Sequence, residues 1–184
     1  GEDLKRLFKS FRNCSNKPAL ALLIDSSDED KFDYLDELKE LSRNSFKLEV
    51  IRFGTPGLVM ARNRALDEIE SRITISSEAL VHFVDDDVVF TPNYFLELTK
   101  AINESRLAGA CGRTLMPSIP RIRKPGSQQG HPGTLSRLGF ASPQWTSSKT
   151  SKVKWLPGCS MSYRLEAIRG MRFDTGRQEI PAGE

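Results

Sequence analysis

The chain is poor in the residues that assign a protein to a class at sight. Its 184 residues hold three cysteines, Cys14, Cys111 and Cys159. That is an odd number without metal-ligand spacing, so the sequence predicts neither a disulfide framework nor a zinc site, and a reducing, cytoplasmic setting. No apolar run approaches the roughly 20 residues that span a bilayer. The opening Gly1-Glu2-Asp3-Leu4-Lys5-Arg6 lacks the apolar segment of a signal peptide. No transmembrane segment is expected, which leaves only peripheral contact with a membrane. With 38% hydrophobic and 28% charged residues, the composition excludes a disordered tail. The length fits one domain, residues 1–184, and no internal repeat is visible.

The sharpest absence is of acid. No Asp or Glu occurs between Glu104 and Glu166, while that gap holds ten Lys and Arg. Residues 105–165 therefore carry +10, against −6 for residues 1–104, beneath an overall net charge of +3. So basic a stretch predicts an anionic partner, with phosphate the commonest candidate. Nucleic acid is not expected. Arg121, Arg123 and Lys124 sit between Pro120 and Pro125 without interleaved aromatics or a nucleic-acid fold signature. A solvated basic loop accounts for that cluster equally well.

What is present reads as an alternation of elements. Leu4, Leu7, Phe8 and Phe11 recur at helical spacing. Ala19 to Ile24 is a short apolar run ending at Asp25, as a buried strand does. Tyr34, Leu35, Leu38 and Leu41 predict a helix, Leu48 to Phe53 a strand, and Leu58 to about Glu70 a helix after Gly54-Thr55-Pro56-Gly57. Ala79 to Val84 is an apolar run ending in Asp85-Asp86-Asp87, and Thr91-Pro92 starts a helix reaching about Asn103. Leu107 to Cys111 begins a fourth strand. This rhythm predicts an α/β fold with a mostly parallel open sheet and helices on both faces. From Gly112 to Ser151 periodicity gives way to Gly, Pro, Ser and basic residues, a loop or lid following the fourth strand. Beyond it, Val153 to Leu156 reads as a strand, Pro157 to Ser160 as a turn, and Tyr163 to Ile168 as the start of a helix. The chain divides into a half at 1–111 and a half at 112–184.

Ligands of open α/β sheets bind outside the carboxyl ends of the strands, where Asp25 and the Asp85 triplet are placed. Three adjacent carboxylates repel one another, and a divalent cation bridging substrate phosphates relieves that cost. On an extended chain end Asp85 and Asp87 point the same way, making them the natural metal pair. The alternative is a polar strand terminus that only caps the following loop. Arg62 falls near the start of the helix after Gly57, where backbone amides already favour an anion, although an ordinary surface position explains it as well. His82 reads as a strand residue and His131 as a solvated loop residue. Trp155 reads as a packing residue, and Trp145 is open.

Four stretches, taken together, resemble the nucleotide-sugar-dependent glycosyltransferases of family 2, with the GT-A fold. They are Leu23-Ile24-Asp25-Ser26-Ser27-Asp28-Glu29-Asp30, Thr55-Pro56-Gly57 through Ala61-Arg62-Asn63-Arg64-Ala65-Leu66, the Asp-x-Asp motif in Phe83-Val84-Asp85-Asp86-Asp87, and the acceptor-side loop Trp155-Leu156-Pro157-Gly158-Cys159-Ser160-Met161-Ser162-Tyr163-Arg164. The resemblance implies that the 1–111 half binds the nucleotide sugar, a UDP-sugar first, and that the 112–184 half faces a hydroxyl acceptor. It further implies that Asp25 contacts the base, Asp85 the ribose, and Asp87 a Mg2+ or Mn2+ on the diphosphate, with Arg62 nearby. Transfer would invert the anomeric centre, a carboxylate deprotonating the acceptor. Two departures stand out. The family usually begins with a strand ahead of the first helix, and its catalytic Asp is expected just beyond Glu184. Two other readings fit parts of the sequence: a non-catalytic nucleotide-sugar binder, and a haloacid-dehalogenase-like phosphatase with Asp85 as nucleophile.

Overall fold

The structure is a computed structural model that describes residues 1–27, 34–72, 76, 78–113, 133, 134, 137 and 150–176. The first helix, α1 (Glu2–Asn13), buries Leu4, Leu7, Phe8 and Phe11 along one stripe and carries Glu2 and Asp3 in its first turn, where the helix dipole favours acid. It leads into β1 (Leu20–Asp25), α2 (Leu35–Ser42), β2 (Lys47–Arg52), α3 (Leu58–Glu70), β3 (Leu80–Val84) and α4 (Tyr94–Glu104). The sequence predicts each of these within a few residues. A short β4 (Gly109–Ala110), β5 (Ser160–Arg164) and the single-turn α5 (Leu165–Ile168) complete the described chain.

The strands form two groups. β1 and β2 pair in parallel, from Leu20 opposite Lys47 to Asp25 opposite Arg52. The other group has the order β3-β5-β4, and both of its pairs are antiparallel. The mixed α/β class therefore holds, but a mostly parallel sheet is seen only in part. The correction comes from residues 153–168. Val153 to Leu156 is not a strand. Ser160–Arg164, expected as a turn and a helix start, is the central strand of its sheet, and the helix shrinks to α5.

Side chains of β3 alternate between two cores, as a strand with both faces covered requires. Val81 and Phe83 join Leu66 of α3, Met161, Leu165 and Ile168. His82 and Val84 face the other way, where Leu4, Leu7, Phe8 and Phe11 of α1 meet Leu38, Phe90 and Phe95. Helices thus cover both faces. The stretch 112–151 lies largely outside the described residues, as does Glu184. Among the described residues no helix is long and apolar enough to cross a membrane. Among the described residues Cys14, Cys111 and Cys159 form no disulfide.

Candidate functional site

The carboxyl ends of β1 and β3 open on one cleft of about 1030 Å³, whose lining includes Asp25, Gly57, Arg62 and Asp85 to Asp87. Two segments far apart in sequence therefore bring their carboxylates to one rim. Asp25 is buried and its side chain is fully engaged. Its Oδ1 accepts from the Ser27 amide at 3.0 Å and from the Ser27 hydroxyl, and its Oδ2 pairs with Arg52, which stands opposite it in the β1/β2 ladder. The shape of the loop after β1 is thus tied to this carboxylate.

Asp85 is half-buried and tied to Arg62. The Arg62 Nη2 donates to Asp85 Oδ1 at 3.2 Å and to the Gly158 carbonyl at 2.8 Å, and its guanidinium carbon lies 5.5 Å from the centre of the Phe173 ring. Arg62 is held where α3 has just begun. Gly57, with φ 122°, makes the sharp entry into that helix, a conformation that a side chain would strain. Arg62 thus joins three separate parts of the chain at the rim. Its neighbour Asn63 does the same one face over: its amide donates to the Phe173 carbonyl at 3.0 Å, and its oxygen accepts from the Phe173 amide at 2.8 Å.

The chain does not continue extended past Asp85. Asp86 and Asp87 lie in a turn in which the Val88 amide points to the Asp85 carbonyl at 3.4 Å, so the alternation of an extended end does not apply. Asp86 and Asp87 are exposed and make no side-chain hydrogen bond or ion pair among the described residues. Nor, among those residues, do three His, Cys, Asp or Glu side chains gather around one point. This donor set still fits Mg2+ or Mn2+ held by one or two carboxylates plus substrate phosphate and water, the usual manner of Mg2+, rather than by a closed protein cage.

Of the loop expected on the acceptor side, Gly158 and Cys159 sit directly against this rim. The Asp85 amide donates to the Cys159 carbonyl at 3.1 Å, and a methyl group on Gly158 would stand 3.3 Å from Arg62 Nη2. Ser160 is buried, and its hydroxyl shares a hydrogen bond of 2.7 Å with that of Tyr94. The same Tyr94 oxygen accepts from the Gly112 amide at 3.0 Å. Tyr94 therefore ties the start of the basic stretch to the rim. Burial raises the pKa of its phenol. Sequence reading missed Tyr94 and Asn63. The Ala-Arg-Asn triplet was a signal for the second; an aromatic on an amphipathic helix gave none for the first.

His82 lines the cleft but is no ligand. Its Nδ1 lies 2.6 Å from the Ser162 hydroxyl and its ring packs on Phe95 at 4.9 Å, and burial pushes its pKa down to about 4.

Comparison with known proteins agrees with this arrangement. Neither the curated proteins nor the solved structures yield a match. The family model for glycosyl transferase family 2 matches residues 1–171, nearly the whole described chain, and sets the phosphatase reading aside. The chain belongs to glycosyl transferase family 2, whose members transfer a sugar from a nucleotide-linked donor.

Proposed function

We propose that the chain transfers a sugar from a nucleoside-diphosphate sugar to an acceptor hydroxyl, with inversion and with a divalent metal, in the synthesis of a polysaccharide or glycoconjugate. The observation that carries this reading is the shared rim, where Asp25, Arg62, Asp85 and Asp87 line one cleft. Asp25 accepts from the base and Asp85 from the ribose, while Arg62 places positive charge beside the diphosphate. Asp87 holds Mg2+ or Mn2+, which when bound neutralises the leaving diphosphate. In the transfer the acceptor oxygen gives its proton to a carboxylate and bonds to the anomeric carbon as that carbon's bond to the diphosphate oxygen breaks. The nucleoside diphosphate departs with that electron pair.

Titration calorimetry with UDP and Mn2+ tests the donor half. Asp87→Asn is expected to weaken Mn2+-dependent binding by about tenfold or more while leaving metal-free binding unchanged; equal affinity in both proteins rejects the metal role. Release of UDP from UDP-sugars in the presence of hydroxyl acceptors separates an enzyme from a binder. Binding without release, across a panel of donors, favours the non-catalytic alternative.

A further inference from the structure

The stretch that follows α5 turns little inward. Of residues 171–176 every one is exposed except Phe173. Side-chain burial therefore acts at a single position, and polar bonds to α3 hold the rest. Asn63, Asp67 and Glu70 stand at helical spacing along one stripe of that helix. Glu70 accepts from the Gly170 amide at 2.7 Å, and φ 73° at Gly170 turns the chain back toward α3. Arg172 pairs with Asp67 at 2.6 Å and with Glu70 at 2.8 Å. Asn63 completes the strap by bonding both the amide and the carbonyl of Phe173.

The one inward ring is aimed at a charge. Phe173 meets Phe83 edge-on at 5.4 Å, and the Arg62 guanidinium lies over its face. The other bonds of that guanidinium pass through one nitrogen, since Nη2 serves both Asp85 and the Gly158 carbonyl. The N–H groups on Nε and Nη1 donate to no group among the described residues, so most of the fork keeps its donors. Arg62 is thus gripped at one corner and backed by a ring, on a residue that lines the cleft. An arginine without such support loses side-chain freedom when it binds a ligand, whereas one oriented beforehand loses little.

We propose that Phe173 is a positioning residue for Arg62, and that Asn63 acts through it. The strap of residues 170–173 sets the ring, and the ring sets the charge that meets an anionic ligand in the cleft. The role in holding a diphosphate rests on the sugar-transfer reading; the hold on the guanidinium does not.

One measurement uses ligands and a second uses none. In calorimetry with Mn2+, Phe173→Leu keeps the backbone bonds to Asn63 and removes the ring. It is expected to weaken UDP binding by about fivefold and to leave uridine binding unchanged, with Phe173→Tyr restoring the affinity for UDP. In an Arg62→Ala protein, Phe173→Leu is expected to add nothing. Equal weakening of UDP and uridine, no weakening of either, or a full further loss in the absence of Arg62 overturns the proposal. The second measurement is nuclear magnetic relaxation of the Arg62 Nε. Its order parameter is expected to stand near about 0.85 in the unaltered protein and to fall below about 0.6 in Phe173→Leu and in Asn63→Asp. The latter loses the donor to the Phe173 carbonyl. An unchanged order parameter in either variant also overturns the proposal. If the unaltered protein does not bind UDP, the sugar-transfer reading fails, and the relaxation measurement alone decides the positioning role. If Phe173→Leu does not fold, Asn63→Asp carries both measurements with the same expected outcomes.

Discussion

Gly158 shows how one absent side chain sets the position of a charge. Its missing Cβ leaves the space that the Arg62 guanidinium uses to reach the Gly158 carbonyl and Asp85. In Gly158→Ala the mobile end of an arginine has to yield by a few tenths of an ångström. The expected outcome is a stability change under about 1 kcal/mol in urea together with a clear loss of UDP affinity in calorimetry. A second residue sets a pH limit. His82, held near a pKa of about 4, stays neutral in the folded protein while the unfolded chain takes up its proton near the ordinary value of 6.5. Stability is therefore full above about pH 6.5 and falls toward pH 4, by about 3 kcal/mol. Urea midpoints at pH 7 and 4.5 check this, and His82→Gln is expected to lose the part of the pH dependence due to this group. Asp25, Asp85 and Asp87 were legible as rim residues because apolar runs stop at them. The reach of Arg62 to Gly158 was not, since it depends on a return of the chain across 96 positions.

Among elements, β5 carries the sheet that sequence reading missed. Its Ser-Met-Ser-Tyr-Arg does alternate, but with the usual sense hidden. Met161 enters one core, while Ser160 and Ser162 are buried on the opposite side, their hydroxyls bonded to Tyr94 and His82. A serine in a pattern is read as facing water; here paired hydroxyls satisfy its burial. Ser162 stands opposite both His82 and Ala110, so its backbone serves ladders on each side. Ser162→Pro is expected to prevent folding, seen as loss of the near-ultraviolet circular dichroism, because a central strand does not tolerate a missing donor. Ser162→Ala removes only the bond to His82 and is expected to cost about 1 kcal/mol in urea titration. The helices and the first three strands were legible because their periodicity is local. The antiparallel half was not, because β5 arrives from about 50 residues beyond β4 to lie between it and β3.

On the scale of the whole molecule, charge and core are both divided. The acid-free span of residues 105–165 was legible from composition alone and remains the clearest large-scale signal of an anionic ligand. The division of the hydrophobic interior was not, because which apolar residues share a core depends on how the strands are ordered. Five residues of β3 are the wall common to both interiors, one taking Val81 and Phe83, the other His82 and Val84. Heat absorbed on warming then belongs to two weakly coupled units. In scanning calorimetry of Gly1 to Glu184, the measured enthalpy is expected to exceed the van't Hoff value; equal values would mean that so thin a shared wall already makes the two halves melt as one.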